Sequence, residues 1–203
     1  MSKVLLAAVI IALTAVTAPA GATVISTFGP GDSSPSPGFT VINEFTDASG
    51  ISGSNFQIKT STDGDGALPA NSDGSSYLSV LRGGSASISL GGVSGFQFDW
   101  GSIDRYNTLT VMYSGGQLVY IPGTSSFPNQ ADGNQVATAT NGLFTVFGNA
   151  GEIFYNMILT SSSNSFEIDN LAVKTTSVPE PGTLALLGLG LLGLGFSKRR
   201  KQA

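Results

Sequence analysis

The 203-residue chain predicts an all-β fold: an antiparallel β-sandwich of jelly-roll type, flanked by an N-terminal signal peptide and a short C-terminal hydrophobic helix. Three observations lead there. Apolar and polar residues alternate with period two, as where Phe96, Phe98 and Trp100 are interleaved with Gln97 and Asp99. Turn-forming pairs punctuate such runs, at Gly83-Gly84, Gly91-Gly92, Ser114-Gly115-Gly116, Asp132-Gly133 and Asn141-Gly142. The composition, with 27 glycines and only 11% charged residues, suits short strands joined by tight turns.

From the N-terminus, residues 1–22 read as a secretory signal peptide. Lys3 is the basic start, 4–16 the apolar run, and Ala20-Gly21-Ala22 the small-residue cleavage site. That run is too short for a membrane span, so an N-terminal anchor is the weaker alternative. The Pro/Gly/Ser stretch 29–38 cannot propagate a helix or a central strand and is expected as a loop or arm. Strands are expected at 41–45, 56–60, 77–81, 85–90, 96–100, 108–113, 117–121, 143–147, 153–160 and 166–173. In the last of these, Phe166 and Ile168 have one parity and Leu171 and Val173 the other. A β-bulge near Asp169-Asn170 would turn all four inward. The folded domain is therefore 23–173, followed by an extended linker and terminal segment, 174–203.

That terminal segment has three parts in order: Pro179-Glu180-Pro181, the apolar run 183–196, and the basic tail Lys198, Arg199, Arg200 and Lys201. At about 1.5 Å per residue the run falls short of a hydrocarbon core of about 30 Å. The basic tail stays cytoplasmic and leaves the rest of the chain on the far side. This constellation resembles the PEP-CTERM sorting signal, a tail also labelled as an ice-binding-protein C-terminal domain. The N-terminal segment implies export with cleavage by signal peptidase; the resemblance implies processing by exosortase near the motif, membrane contact through the helix before cleavage, and delivery to the cell surface or exopolysaccharide matrix.

Composition also excludes. The chain has no Cys and no His, which removes Ser-His-Asp and Cys-His catalysis, imidazole and thiolate metal sites, and disulfides. With the two ends removed, Lys59, Arg82, Arg105 and Lys174 stand against all 13 acidic residues, Glu180 included. Such a domain repels nucleic acid.

Three segments of the middle, Tyr77-Leu78-Ser79-Val80, Phe98 to Asn107 and Phe166 to Leu171, resemble an exosortase-dependent surface protein family of cyanobacterial type. The match departs at Asp99, where an aromatic residue is expected. Closing strands such as Phe-x-Ile-Asp-Asn-Leu also recur in carbohydrate-binding sandwiches. Around Trp100 two readings compete. Trp100 stacks on a sugar while Asp99, Asp104, Arg105 and Asn107 hydrogen-bond to it, or Trp100 shares the parity of Phe96 and Phe98 and belongs to the core. Parity favours the core, with Asp99 pointing outward.

Asp63, Asp65 and Asp73 lie in a glycine-punctuated loop whose oxygens suit calcium, the one cofactor the sequence raises. It is not an EF-hand, because Gly74 stands where the bidentate Glu belongs, and a solvated turn is the favoured reading, since Asp and Gly are what turns require. The chain is thus expected to be a non-enzymatic binding or structural module with polysaccharide as its partner. The alternatives are a glycan hydrolase using two carboxylates and an ice-binding protein, the latter without a Thr array beyond Thr108 and Thr110.

Overall fold

The computed structural model describes residues 24–31, 33–149 and 151–175. The signal peptide, the Pro179-Glu180-Pro181 motif, the apolar run and the basic tail lie outside them. Ten strands form: β1 (Val24–Gly29), β2 (Thr40–Asn43), β3 (Ile51–Lys59), β4 (Tyr77–Val93), β5 (Gly95–Gly101), β6 (Asn107–Tyr113), β7 (Gly116–Tyr120), β8 (Gly142–Gly148), β9 (Phe154–Ser161) and β10 (Phe166–Lys174). Among the described residues there is no helix, hence none long and apolar enough to cross a membrane.

The strands are antiparallel throughout and run β1-β8-β5-β10-β4-β9-β6-β7, with β2 also on β10 and β3 also on β4. The sheet curls on itself into the expected sandwich because β4, 17 residues long, serves both halves. Its Leu78–Val80 pairs with β10, while its Gly84–Ser89 pairs with β9. The sequence predicts two strands here, divided by a turn at Gly83-Gly84. Instead the glycines bend one continuous strand. Gly83 has φ +71°, and a Cβ on Gly84 would stand 2.3 Å from the Asn55 carbonyl. β3 follows the bend with its own register shift between Ser54 and Phe56, and Asn55 Nδ2 donates to the Arg82 carbonyl at 2.7 Å.

Between the halves, Phe96, Phe98 and Trp100 of β5, Phe144 of β8 and Phe166 of β10 face Leu109 and Val111 of β6 and Met157 and Leu159 of β9, all at 0% exposure. Each such side chain contributes about 1.5–3 kcal/mol over leaving it in water. The bulge in β10 is present. Its register with β5 shifts between Asp169 and Ala172, Asn170 takes φ 51°, and Phe166, Ile168, Leu171 and Val173 are all buried. β1 was not anticipated; its Val24, Ile25 and Phe28 alternate too weakly over six residues.

The expectation that β5 buries one face alone is corrected, for all seven of its residues are buried. The loop 60–76 and the Pro-rich arm cover its outer face. Asn71 Nδ2 donates to Asp99 Oδ1. The Ser36 amide donates to Gln97 Oε1 at 3.4 Å. Gly101 admits Pro69 so closely that a Cβ there would lie 2.8 Å from the Pro69 Cα.

Candidate functional site

The residues around Trp100 separate into core and surface. Trp100 is fully buried, stacked on Phe166 at 4.6 Å and on Phe127 at 5.3 Å, with Phe144 edge-on at 5.4 Å. Its indole is inaccessible to a sugar. Asp99, expected outside, is 1% exposed and its Oδ2 accepts Asn170 Nδ2 at 2.8 Å. Asn107 is also buried, its Oδ1 accepting the Ser161 hydroxyl at 2.9 Å. Asp104 and Arg105, in the turn before β6, go to different places.

Asp104 lines a cavity of about 100 Å³ together with Asp63, Tyr106 and Glu167. Glu167 projects from β10 at 2% exposure. Its Oε2 accepts the Ser102 hydroxyl at 2.9 Å, and its Oε1 accepts the Ala67 amide at 3.2 Å and the Ser165 hydroxyl. Burial pushes the Glu167 carboxyl up, against the pull of these donors, and the nearby Asp104 charge adds to the rise. Asp104 is likewise raised by burial, with the Asp132 charge contributing and a Tyr106 hydrogen bond opposing. A buried carboxyl held by three donors ties the loop at Ala67 to the turn at Ser102.

Arg105 lies instead in an open groove of about 560 Å³ at one end of the β4-β9-β6 face. Register places Ser85, Thr160 and Thr108 in one row across these strands, with neighbours about 4.8 Å apart. All three line the groove, together with Tyr106, Ile121, Ser161 and Ser162. Tyr106 is fixed by donating its hydroxyl to the Asn164 carbonyl at 2.6 Å. Arg105 lies against Gly123, where a Cβ would stand 3.1 Å from its Nε. No carboxylate lines the groove.

The three loop aspartates are engaged separately. Asp63 Oδ1 accepts Lys59 Nζ at 2.6 Å and the Asp65 amide at 2.8 Å, and the Lys59 hydrogen bond lowers its pKa. Asp65 Oδ1 accepts Asn164 Nδ2 at 2.9 Å, and Asp73 Oδ1 accepts the Ser75 amide at 2.9 Å. Among the described residues no three acidic side chains are placed to hold a metal ion, so Asp63, Asp65 and Asp73 do not converge as a calcium site there. Asp63 and Asp73 make Asx turns, Asp63 also an ion pair, and Asp65 a side-chain hydrogen bond to Asn164. Asp73 lies instead near Asp169, a fully buried group. Burial pushes its pKa up to about 6, the Asp73 and Glu44 charges adding and the Asn170 amide and Ser75 hydroxyl opposing.

Glu167 is among the carboxylates the sequence offers for an acid–base pair, with Glu44, Glu152 and the aspartates, but its burial beside Asp104 and the hydroxyl row are not legible there. Glu167 looks like the polar position of an alternating strand, and Ser85, Thr108 and Thr160 are ordinary outward residues until register aligns them.

Among solved structures, the chain is similar to the catalytic unit of a thermostable GH87 alpha-1,3-glucanase from Streptomyces thermodiastaticus strain HF3-3, at 15% identity and a TM-score of 0.37, over 71% of this chain and 28% of that one. It is also similar to CsCBM6-3 from Clostridium stercorarium, solved in complex with cellobiose, at 16% identity and a TM-score of 0.31, over 68% of this chain and 93% of that one. The chain thus spans less than a third of the glucanase chain. No curated protein sequence matches it. Residues 177–201 match the PEP-CTERM protein-sorting motif, and the chain therefore carries the sorting signal of an exosortase-processed protein exported to the cell surface or beyond.

Proposed function

We propose that the sandwich is a non-enzymatic binding or structural module of the cell surface or exopolysaccharide matrix, with polysaccharide as its partner. In this reading signal peptidase and exosortase process the ends, and the apolar run 183–196 holds the chain in the membrane until cleavage. One observation carries it: space and acid are separated. The groove of about 560 Å³ lies in the range of ligand sites but has no carboxylate in its lining. The cavity where Asp104 and Glu167 meet measures about 100 Å³, well below the roughly 300 Å³ at which such sites begin. Glycoside hydrolysis needs two carboxyls on either side of a bound sugar.

The purified protein should retain glycans on an array and release no reducing ends from those it retains. Release of reducing ends, lost on changing Glu167 to Gln, would replace this reading with hydrolysis.

A further inference from the structure

We infer that the groove at Arg105 takes an acidic polysaccharide, one whose sugars carry carboxylates; this rests on the glycan-binding reading above. The domain is strongly acidic and holds only four basic residues. Lys59 is occupied by Asp63. Arg105 lies in the groove, and Arg82 directly precedes its lining residues Gly83 and Gly84. Neither arginine pairs with a carboxylate among the described residues. With thirteen acidic residues in the chain, a cation-bearing groove with no acid in its wall is a selective arrangement of charge. It leaves a guanidinium facing solvent, free to make two parallel hydrogen bonds to a carboxylate.

The remaining wall favours a sugar over an acidic peptide. The hydroxyls of Ser85, Thr160 and Thr108 succeed one another strand by strand, which suits a chain of repeating polar units. Tyr106 and Ile121 give a modest apolar surface for the C–H face of a ring. The groove is open, so it offers a peptide side chain no enclosed pocket as an anchor. At physiological salt, charge acts over about 8 Å, so Arg105 in the groove wall acts directly on a ligand there, while its chain neighbour Asp104 lines the adjoining cavity.

The test uses full-length protein in mild detergent and titrates three probes: oligogalacturonate, the same oligomer with its carboxyls reduced to alcohols, and polyglutamate. Oligogalacturonate should bind at least tenfold more tightly than its reduced form. Arg105→Gln should remove that advantage while leaving the melt unchanged, and Arg105→Lys should restore part of it. Equal binding of the charged and reduced oligomers, unaffected by Arg105→Gln, would keep the glycan-binding reading and overturn the acidic one. Binding of neither oligomer would overturn both, and polyglutamate binding as tightly as oligogalacturonate would overturn the assignment to a polysaccharide, because the site would then read charge alone.

Discussion

Trp100 lies flat against Phe166, ring centroids 4.6 Å apart and planes 8° from parallel, so the indole of β5 and the phenyl of β10 form one slab in the middle of the core. Phe98, Phe127 and Phe144 surround it. Trp100→Ala should cost about 3–5 kcal/mol, a large part of a typical domain stability of about 5–15 kcal/mol. Because the chain has one tryptophan, its fluorescence reports this slab directly. The wild type should emit in the blue and resist iodide quenching. A Trp100→Ala protein with an unchanged denaturation midpoint would contradict the buried placement.

Asp99→Asn is expected to be damaging, the reverse of what an outward carboxylate beside a core strand would give. Asp99 accepts one amide proton from Asn71 and another from Asn170. An asparagine there sets an NH₂ against one of those donors, leaving buried groups unsatisfied at about 1–3 kcal/mol. Changing Asn71 to Asp in the same protein should recover part of the loss, since that pair then regains a donor and an acceptor. Chemical denaturation of the two single variants and the double variant checks the coupling.

Those two neighbours show how far the sequence can be read. Period-two spacing identified Trp100 as core, and the parity change from Ile168 to Leu171 located the bulge, because both signals reside in adjacent residues. Asp99 was misplaced because its outer face is covered by Asn71 and Pro69, distant in sequence, and alternation is silent about what a loop covers. The bend at Gly83-Gly84 looked like a turn, since glycine marks both, and only the continuous pairing of β3 distinguishes them. In the candidate site, Arg105 was identifiable by its charge. The row of Ser85, Thr160 and Thr108 was not, because it exists only in the register of three strands.

The buried acids give the domain an unusual pH response. Burial pushes the Asp169 carboxyl up to about 6 in the folded state, above the ordinary aspartate value of about 3.9, so between those values the native state binds more protons than the unfolded one. Its contribution is therefore fully favourable at low pH and is lost as pH rises toward and through about 6. Glu44, Glu167 and Asp104 are shifted in the same direction, whereas Asp47 and Asp63 are lowered and oppose it at more acid pH. Thermal melts should rise from pH 7 to pH 5. Asp169→Asn, which keeps an acceptor for the Asn170 amide, should raise the pH 7 melt and flatten that slope. A slope unchanged in Asp169→Asn would assign the response to the other acids.

The sorting motif gives the most direct test of the protein's fate. In the route proposed above, the basic tail Lys198–Lys201 would keep the C-terminus in the cytoplasm while the apolar run before it, short for a span, stops the chain until cleavage. In that proposed route, release depends on exosortase reading Pro179, Glu180 and Pro181, which lie within the matched sorting motif. The three lie outside both the expected signal peptide 1–22 and the sandwich core. Replacing all three by alanine should therefore leave export and folding intact and stop the chain one step later, as a membrane-bound form that keeps its tail. Fractionation with an epitope placed after Lys201 separates the outcomes. The wild type should lose the epitope and appear at the surface or in the matrix, while the triple variant should keep it and remain in the membrane fraction. Normal surface delivery of an epitope-free triple variant would show that release does not depend on these residues, and would remove exosortase recognition of the motif from the route.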